Sequence, residues 1–242
     1  MNLRNIIIAF FLVTVIIALS CSEKAFEKDI YKNPRAPIEK RVSDLLRQMT
    51  LNEKIAQLSE ANCDDLKEDN KAKTTSFTSE KYIHGVGSIS GFTLNISEYA
   101  RAVNRIQKYL VEETRLGIPA IFLTESLHGL VQDGATIFPQ SISMASSWNT
   151  ELVWEIGCAI RKEVKAIGVS QVLSPDLDVA RELRWGRIEE TYGEDPFLAS
   201  RMGVAMIKGL QEGDKPNGTF LIANAKPFLT YCAPYGGLNL AS

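Results

Sequence analysis

The chain has 242 residues, of which 45% are hydrophobic and 23% are charged, and this composition excludes a disordered chain, a collagen-like fibre and a disulfide-rich miniprotein. Lys and Arg number 27 against 29 Asp and Glu, so the net charge is −2 and the sequence offers no basic surface for a nucleic acid. With 2 histidines and 4 cysteines, it contains neither a His-x-x-x-His nor a Cys-x-x-Cys pair. We therefore expect no metal site and no cofactor.

Residues 1–20 have the pattern of a secretory signal peptide. Arg4 precedes an apolar stretch over residues 6–19, which is shorter than the roughly 20 residues that a membrane-spanning helix needs. The following Ser-Cys pair resembles a bacterial lipoprotein cleavage site, which makes Cys21 a candidate for lipidation; the alternative is a plain secretory signal with an unmodified cysteine. We expect an exported protein, either periplasmic, anchored as a lipoprotein or secreted, that meets the membrane only through its signal or its lipid.

Residues 21–37 are polar and are predicted to form a tether before a folded region over residues 38–242. Helices in that region are predicted from apolar residues spaced three and four apart and from capping residues. Their predicted starts are Ile38, Thr50, Ser97, Asn149 or Thr150, and Asp195. The helix from Thr50 is expected to bury Ile55 and Leu58, and the helix from Asn149 is expected to bury Leu152.

Short apolar runs between the helices predict strands over residues 84–92, 118–123, 169–173 and 220–223. Because helices separate them, the strands are expected to pair in parallel, and their continuous apolar character fits burial on both faces. An open Rossmann-type sheet is the competing layout. No Gly-x-Gly-x-x-Gly follows any of these strands, which disfavours that alternative.

Polar side chains cluster directly after the predicted strands. They are Glu125 and His128 after the second strand, Asp176 and Asp178 after the third, and Lys226 after the fourth. In a parallel barrel the active face lies at these strand ends. Asp176 and Asp178 are two residues apart, and we expect them to serve hydrogen bonding in a turn or at the barrel mouth.

Two long motifs resemble glycoside hydrolase family 3. They are RLGIPAIFLTESLHG over residues 115–129 and VLSPDLDVARELRWGRIEETYGEDP over residues 172–196, and the resemblance extends over residues 38–242. It implies an α/β fold, the front half of a TIM-type (β/α)8 barrel with about four parallel strands and covering helices. It also implies an exo-acting, retaining β-glycosidase that acts on a β-linked oligosaccharide or glycoside.

The resemblance assigns sugar-binding roles to three residues of this chain. Glu125 occupies the position of a carboxylate that accepts hydrogen bonds from the terminal sugar, and Glu rather than Asp there favours a β-xyloside over a β-glucoside. Arg187 matches the family arginine beside the sugar, and Lys226 matches the lysine of a Lys-His pair. Pro227 replaces that histidine, which removes one donor and is expected to displace the local backbone.

No catalytic residue is assigned. A retaining glycosidase needs two carboxylates about 5–5.5 Å apart, and the family's nucleophilic Asp and acid/base Glu belong to later segments with no counterpart here. One alternative is an inactive family remnant or a weak sugar-binding lipoprotein. The other is a solute-binding or scaffold lipoprotein, but this interpretation does not explain the motif over residues 185–196. At the residue level, Glu125 could be an ordinary polar strand end, and Arg187 could pair structurally with Glu189 or Glu194.

Overall fold

The computed structural model describes residues 29–62, 82–91, 95–212, 221–228 and 231–240. The predicted signal peptide, Cys21 and the first part of the tether lie outside these ranges. The chain divides into two units, Met1–Lys54 and Ile55–Ser242. Among the described residues, every helix is too short or too polar to cross a membrane.

The first unit contains a 3-10 helix, Ile30–Lys32, and helix α1, Ile38–Gln48. The buried carboxylate of Asp44 joins them, because it accepts hydrogen bonds from the Tyr31 backbone N–H at 3.2 Å and from the side chain of Arg47 at 2.6 Å. A buried carboxylate is stable only when its oxygens are hydrogen-bonded in this way. Asp44 thereby ties the end of the tether to α1.

Helix α2, Leu51–Gln57, begins at the predicted capping box. The Thr50 backbone N–H donates to Oε2 of Glu53 at 2.8 Å, and the Glu53 N–H donates to the Thr50 hydroxyl oxygen at 3.3 Å. The predicted burial of Ile55 and Leu58 is wrong, since they are 57% and 90% exposed. Their spacing marks an apolar side of the helix, but among the described residues little covers that side.

A parallel sheet of five strands forms the centre of the second unit. The strands are β1 (Glu60–Asn62), β2 (Ser88–Ser90), β3 (Ile121–Thr124), β4 (Gln171–Val172) and β5 (Ile222–Ala223). Their spatial order equals their order along the chain, and every neighbouring pair is parallel. This sequential order builds the wall of a barrel, whereas a Rossmann-type sheet reverses direction at its switch point.

The predicted parallel α/β fold is therefore confirmed, with one strand more than expected. The additional strand is β1, so the four predicted strands correspond to β2 through β5. In β1 only the central residue, Ala61, is buried, and it pairs with Ile89 of β2. A three-residue strand with two exposed polar ends carries no apolar run, which explains why the sequence pattern missed it.

Four α-helices are described after β2, three of them long. Helix α3 is Ile96–Glu112, α4 is Ser141–Ala145, α5 is Thr150–Ala166 and α6 is Pro196–Gln211. Asn149 and Asp195 cap α5 and α6 as predicted. The cap of α3 is Asn95 rather than Ser97, because the Asn95 side chain accepts the Glu98 N–H at 3.0 Å. The short helix α4 was not predicted.

The core lies between the sheet and α3, α5 and α6. Its fully buried members include Ile89 and Phe122 of the sheet, Ile106 and Leu110 of α3, Ile160 of α5, and Met202 and Met206 of α6. The predicted burial of Leu152 is wrong, since it is 41% exposed at the first turn of α5. Helices α5 and α6 pack very closely, since a Cβ atom on Gly209 would lie 2.9 Å from the Gly157 Cα.

Candidate functional site

The three residues predicted to form the site meet in one pocket. Its volume is about 250 Å³, and its lining consists of Glu125, Leu127, His128, Val131, Arg187, Glu190 and Lys226. Glu125 directly follows β3, Arg187 lies in the connection after β4, and Lys226 follows β5. The carboxyl ends of neighbouring parallel strands share one edge, so these distant segments of the chain converge there.

Lys226 lies between two carboxylates. Its Nζ is 3.6 Å from Oε2 of Glu125 and 3.6 Å from Oε2 of Glu190. The Lys226 side chain is mostly buried, so these contacts form in a partly desolvated environment where charges interact more strongly than in water. The ammonium group therefore links the strand end of β3 to the connection that follows β4.

The backbone of Lys226 keeps the sheet pairing despite Pro227. Its N–H donates to the Pro175 carbonyl at 3.0 Å, and its carbonyl accepts the Leu177 N–H at 2.7 Å. The bridge between Lys226 and Asp176 is therefore intact beside Pro227. The missing proline N–H costs no pairing at Lys226, because Lys226 supplies both bonds of its bridge to Asp176.

Arg187 forms a two-pronged ion pair with Glu190. Its Nε and Nη2 donate to the two carboxylate oxygens at 2.7 and 2.6 Å, an arrangement that gives both strength and orientation. Nη2 is also 3.6 Å from Oδ2 of the buried Asp176. The guanidinium lies 5.6 Å from the Trp185 ring centre and 5.3 Å from the Tyr231 ring centre, within range for cation–π attraction.

The loop that carries Arg187 is held by local bonds. A 3-10 helix, Ile188–Glu190, places Glu190 three residues after Arg187 on the same side of the turn. The Thr191 hydroxyl donates to the Ile188 carbonyl at 2.8 Å, and Gly186 before the turn has φ +89°, a value that favours glycine. The pairing of Arg187 within its own loop is therefore real, but its partner is Glu190 rather than Glu189 or Glu194.

The carboxylates of the site have different protonation behaviour. Hydrogen bonds from Arg187 lower the pKa of Glu190, whereas partial burial raises the pKa of Glu125 against the opposing effect of Lys226. Burial raises the pKa of Asp176 to about 6. Its Oδ1 accepts the Asp178 N–H at 3.0 Å, which confirms the predicted hydrogen bonding by this carboxylate. At neutral pH the pocket thus presents carboxylate acceptors beside two cationic donors.

His128 and two apolar residues complete the lining. Nδ1 of His128 lies 3.0 Å from the Phe138 carbonyl, which can only accept, so Nδ1 carries the proton and the ring is fixed. Leu127 and Val131 supply an apolar side. Among the described ranges, no group of three or more His, Cys, Asp or Glu is placed to hold a metal ion.

Sequence reasoning missed Glu190, which contacts both cations of the pocket. Its spacing of three residues from Arg187 is a usable signal, but the same segment also contains Glu189 and Glu194. Tyr231 was missed as well. It lies five residues beyond Lys226 and meets the Trp185 ring edge to face, with ring centres 6.0 Å apart.

Comparison with known proteins places these observations in a family. The model for the glycosyl hydrolase family 3 N-terminal domain matches residues 50–241. A beta-xylosidase of Formosa agariphila is 45% identical over 133 residues, covering 52% of this chain and 18% of the relative. A periplasmic beta-glucosidase/beta-xylosidase of Dickeya chrysanthemi is 31% identical over 229 residues, covering 86% of this chain and 34% of the relative.

Solved structures of β-glucosidases are similar to this chain in both sequence and fold. A β-glucosidase from Erythrobacter marinus superimposes with a TM-score of 0.77 at 33% identity, over 88% of this chain and 29% of that one. A D270A variant of a beta-glucosidase from Listeria innocua, in complex with laminaribiose, gives 0.70 at 32% identity, over 85% and 28%. This chain therefore spans about a third or less of the length of these relatives. The extent of the family match, together with a parallel sheet whose order suits a barrel, shows that the chain belongs to glycosyl hydrolase family 3.

Proposed function

We propose that this chain forms part of the sugar-binding cleft of an exo-acting, retaining β-glycosidase that hydrolyses β-xylosides or β-glucosides. The observation that carries the proposal is the position of Lys226, 3.6 Å from both Glu125 and Glu190, in the pocket that Arg187 also lines. Charged donors and acceptors alternate there within a single volume of about 250 Å³. Such a pocket suits one terminal sugar ring, as an exo-acting enzyme requires.

Each group has a defined task in the proposed binding. Every sugar hydroxyl is both a donor and an acceptor, so Glu125 accepts hydrogen bonds while Lys226 and Arg187 donate them. Groups that are already fixed lose little freedom when the sugar binds, so binding energy orients the ring for reaction. The longer reach of Glu compared with Asp places the carboxylate further into the pocket, where a pentose, which lacks a hydroxymethyl group, leaves more room.

Bond cleavage needs a nucleophilic carboxylate and a carboxylic acid about 5–5.5 Å apart. Glu190 is unsuited to donate a proton, because Arg187 lowers its pKa. Glu125 is placed as an acceptor beside Lys226. We therefore propose that neither glutamate is catalytic and, as the family resemblance implies, that both catalytic carboxylates lie outside these 242 residues, so that the described pocket binds and orients the sugar.

A second candidate is a family member without hydrolytic activity that binds sugar weakly. Pro227 favours it, because the side chain next to Lys226 has no hydrogen-bond donor. Both candidates expect the purified chain to leave nitrophenyl β-xyloside and β-glucoside unhydrolysed, and they differ in how strongly the chain binds the sugar. Turnover by the purified chain would contradict the proposal that both catalytic carboxylates lie outside it, and the loss of that turnover in Glu125→Ala would assign the activity to this pocket.

Export is also proposed. It rests on the apolar segment over residues 6–19 and on the candidate lipidation site Cys21. Mass spectrometry of the mature N-terminus is the test, with Cys21→Ser as the comparison. A lipidated Cys21 that disappears in the variant supports anchoring, whereas an intact N-terminal segment in the mature protein contradicts export.

Binding is tested by titrating the chain with methyl β-xyloside and methyl β-glucoside, followed by NMR. Lys226→Met should weaken binding by roughly tenfold or more, as expected for the loss of one charge-assisted hydrogen bond. Lys108→Met is the matched control, because Lys108 is exposed on α3 and pairs with Glu112 at 3.9 Å. Equal affinities of the two variants would contradict the proposed site.

A further inference from the structure

Glu190 is the acidic residue shared by both cations of the pocket. Its carboxylate accepts hydrogen bonds from Arg187 at 2.6 and 2.7 Å, and its Oε2 is also 3.6 Å from Nζ of Lys226. The Glu125 side chain, in contrast, is 54% exposed, and its ion pair is with Lys226. The two carboxylates of the pocket are therefore not equivalent.

The surroundings of Arg187 restrict its guanidinium on several sides. Glu190 holds the Nε and Nη2 edge, Asp176 lies 3.6 Å from Nη2, and the rings of Trp185 and Tyr231 face the guanidinium at 5.6 and 5.3 Å. The rings and Asp176 make longer contacts than Glu190 does. Orientation of the guanidinium within its plane therefore depends chiefly on its two short hydrogen bonds to Glu190.

Arg187 and Lys226 also repel one another. Two cations that line one pocket of about 250 Å³ would move apart unless an anion lay within reach of both. Glu190 is in that position, since one of its oxygens, Oε2, contacts Nη2 of Arg187 at 2.6 Å and Nζ of Lys226 at 3.6 Å. Its lowered pKa keeps this carboxylate ionised at neutral pH.

We propose that Glu190 is a positioning residue that holds Arg187 and Lys226 in the geometry that binds the sugar. The proposal rests on the proposed sugar-binding function of this pocket. Glu190 acts through the two cations, so its loss changes their orientation before any sugar is present. A carboxylate that merely contacted the sugar would leave Arg187 unchanged in the sugar-free protein.

The test compares Glu190→Gln and Glu190→Asp with Glu189→Gln. Glu189 is the exposed neighbour in the same 3-10 helix, so its substitution applies the same chemical change one residue away. The first measurement is the NMR signal of the Arg187 Nε–H in the sugar-free protein, assigned by its loss in Arg187→Lys. The second is the affinity for methyl β-xyloside, and thermal melting checks that each variant is folded.

We expect Glu190→Gln to shift the Arg187 Nε–H signal, to speed its exchange with water, and to weaken sugar binding by roughly tenfold or more. Glu190→Asp keeps the charge but is shorter by one methylene, so its affinity should be intermediate. Glu189→Gln should match the original protein in both measurements.

An unchanged Arg187 signal in a folded Glu190→Gln variant overturns the proposal. A shifted signal with unchanged sugar affinity overturns it as well, because Arg187 would then be displaced without consequence. If the original protein binds neither glycoside, the sugar-binding function itself fails and the positioning role falls with it. In that case the Arg187 signal still reports whether Glu190 holds the guanidinium, so the two failures are distinguishable.

Discussion

Replacing Asp176 by asparagine removes an ionisable group that lies fully buried beneath the pocket. The side chain of Asp176 is 0% exposed, and burial raises its pKa from the ordinary 3.8 to about 6. Between these two values the folded protein binds more protons than the unfolded chain does. The contribution of Asp176 to the free energy of unfolding is therefore fully present below about pH 3.8, falls as the pH rises, and is lost above about pH 6.

The magnitude follows from the difference in pKa. A shift of 6 − 3.8 = 2.2 corresponds to at most about 3 kcal/mol, at about 1.36 kcal/mol for each pKa unit. Asparagine keeps an oxygen that can accept the Asp178 N–H, so Asp176→Asn removes the charge and preserves this hydrogen bond. Relative to the original protein, the free energy of unfolding of the variant should therefore increase by up to about 3 kcal/mol as the pH rises from about 4 to about 7.

Urea unfolding followed by circular dichroism across this pH range measures the difference, and a ¹³C titration of the Asp176 carboxyl carbon measures its pKa directly. Glu182→Gln is the control with the opposite sign, because Arg184 lowers the pKa of Glu182 to about 2. Its favourable contribution is lost as the pH falls from the ordinary 4.5 towards about 2, so the unfolding measurements of this control extend to that pH. A difference for Asp176→Asn that does not change with pH, or a carboxyl titration near 3.8, would refute the reasoning.

Three further substitutions test the frame that supports the pocket, each by urea unfolding. Asp195→Ala removes the side chain that caps α6 through two backbone N–H groups, and should cost about 1 kcal/mol, whereas Asp195→Asn should cost little. Gly209→Ala should lower the free energy of unfolding by about 1–3 kcal/mol, because its Cβ would lie 2.4 Å from the Trp154 carbonyl oxygen. Val204→Ala, at an exposed site of the same helix, is the control and should lower it by less than about 1 kcal/mol. Met202→Ala empties a fully buried site and should cost about 2–5 kcal/mol; a smaller loss would mean that the core closes around the gap.

Local patterns in the sequence were sufficient for most of the helices. Helices α5 and α6 begin where Asn149 and Asp195 predict them, because a cap is a contact between residues two or three apart in the chain. Burial is different, since it depends on a partner that the helix itself does not specify. The apolar spacing in α2 predicted a buried Ile55, which is instead 57% exposed.

The site shows the same division between local and distant information. Glu125, Arg187 and Lys226 could be selected because each lies just after a strand or within a recognisable motif, and the parallel sheet brings such positions together. Glu190 could not be chosen over Glu189 or Glu194, since the choice depends on the turn geometry of residues 188–190. The contact between Glu190 and Lys226 links residues 36 positions apart (226 − 190), beyond the reach of any local pattern.

The order of the strands has a consequence for how substrate preference can change. Each side of the pocket comes from a different crossover, with Glu125 after β3, Arg187 after β4 and Lys226 after β5. A mutation or insertion in one of these connections can remodel its own side while the hydrogen-bonded ladder and the buried core stay as they are. At the proposed sugar-binding pocket, one sugar can therefore be exchanged for another through small, separate changes that leave the fold intact.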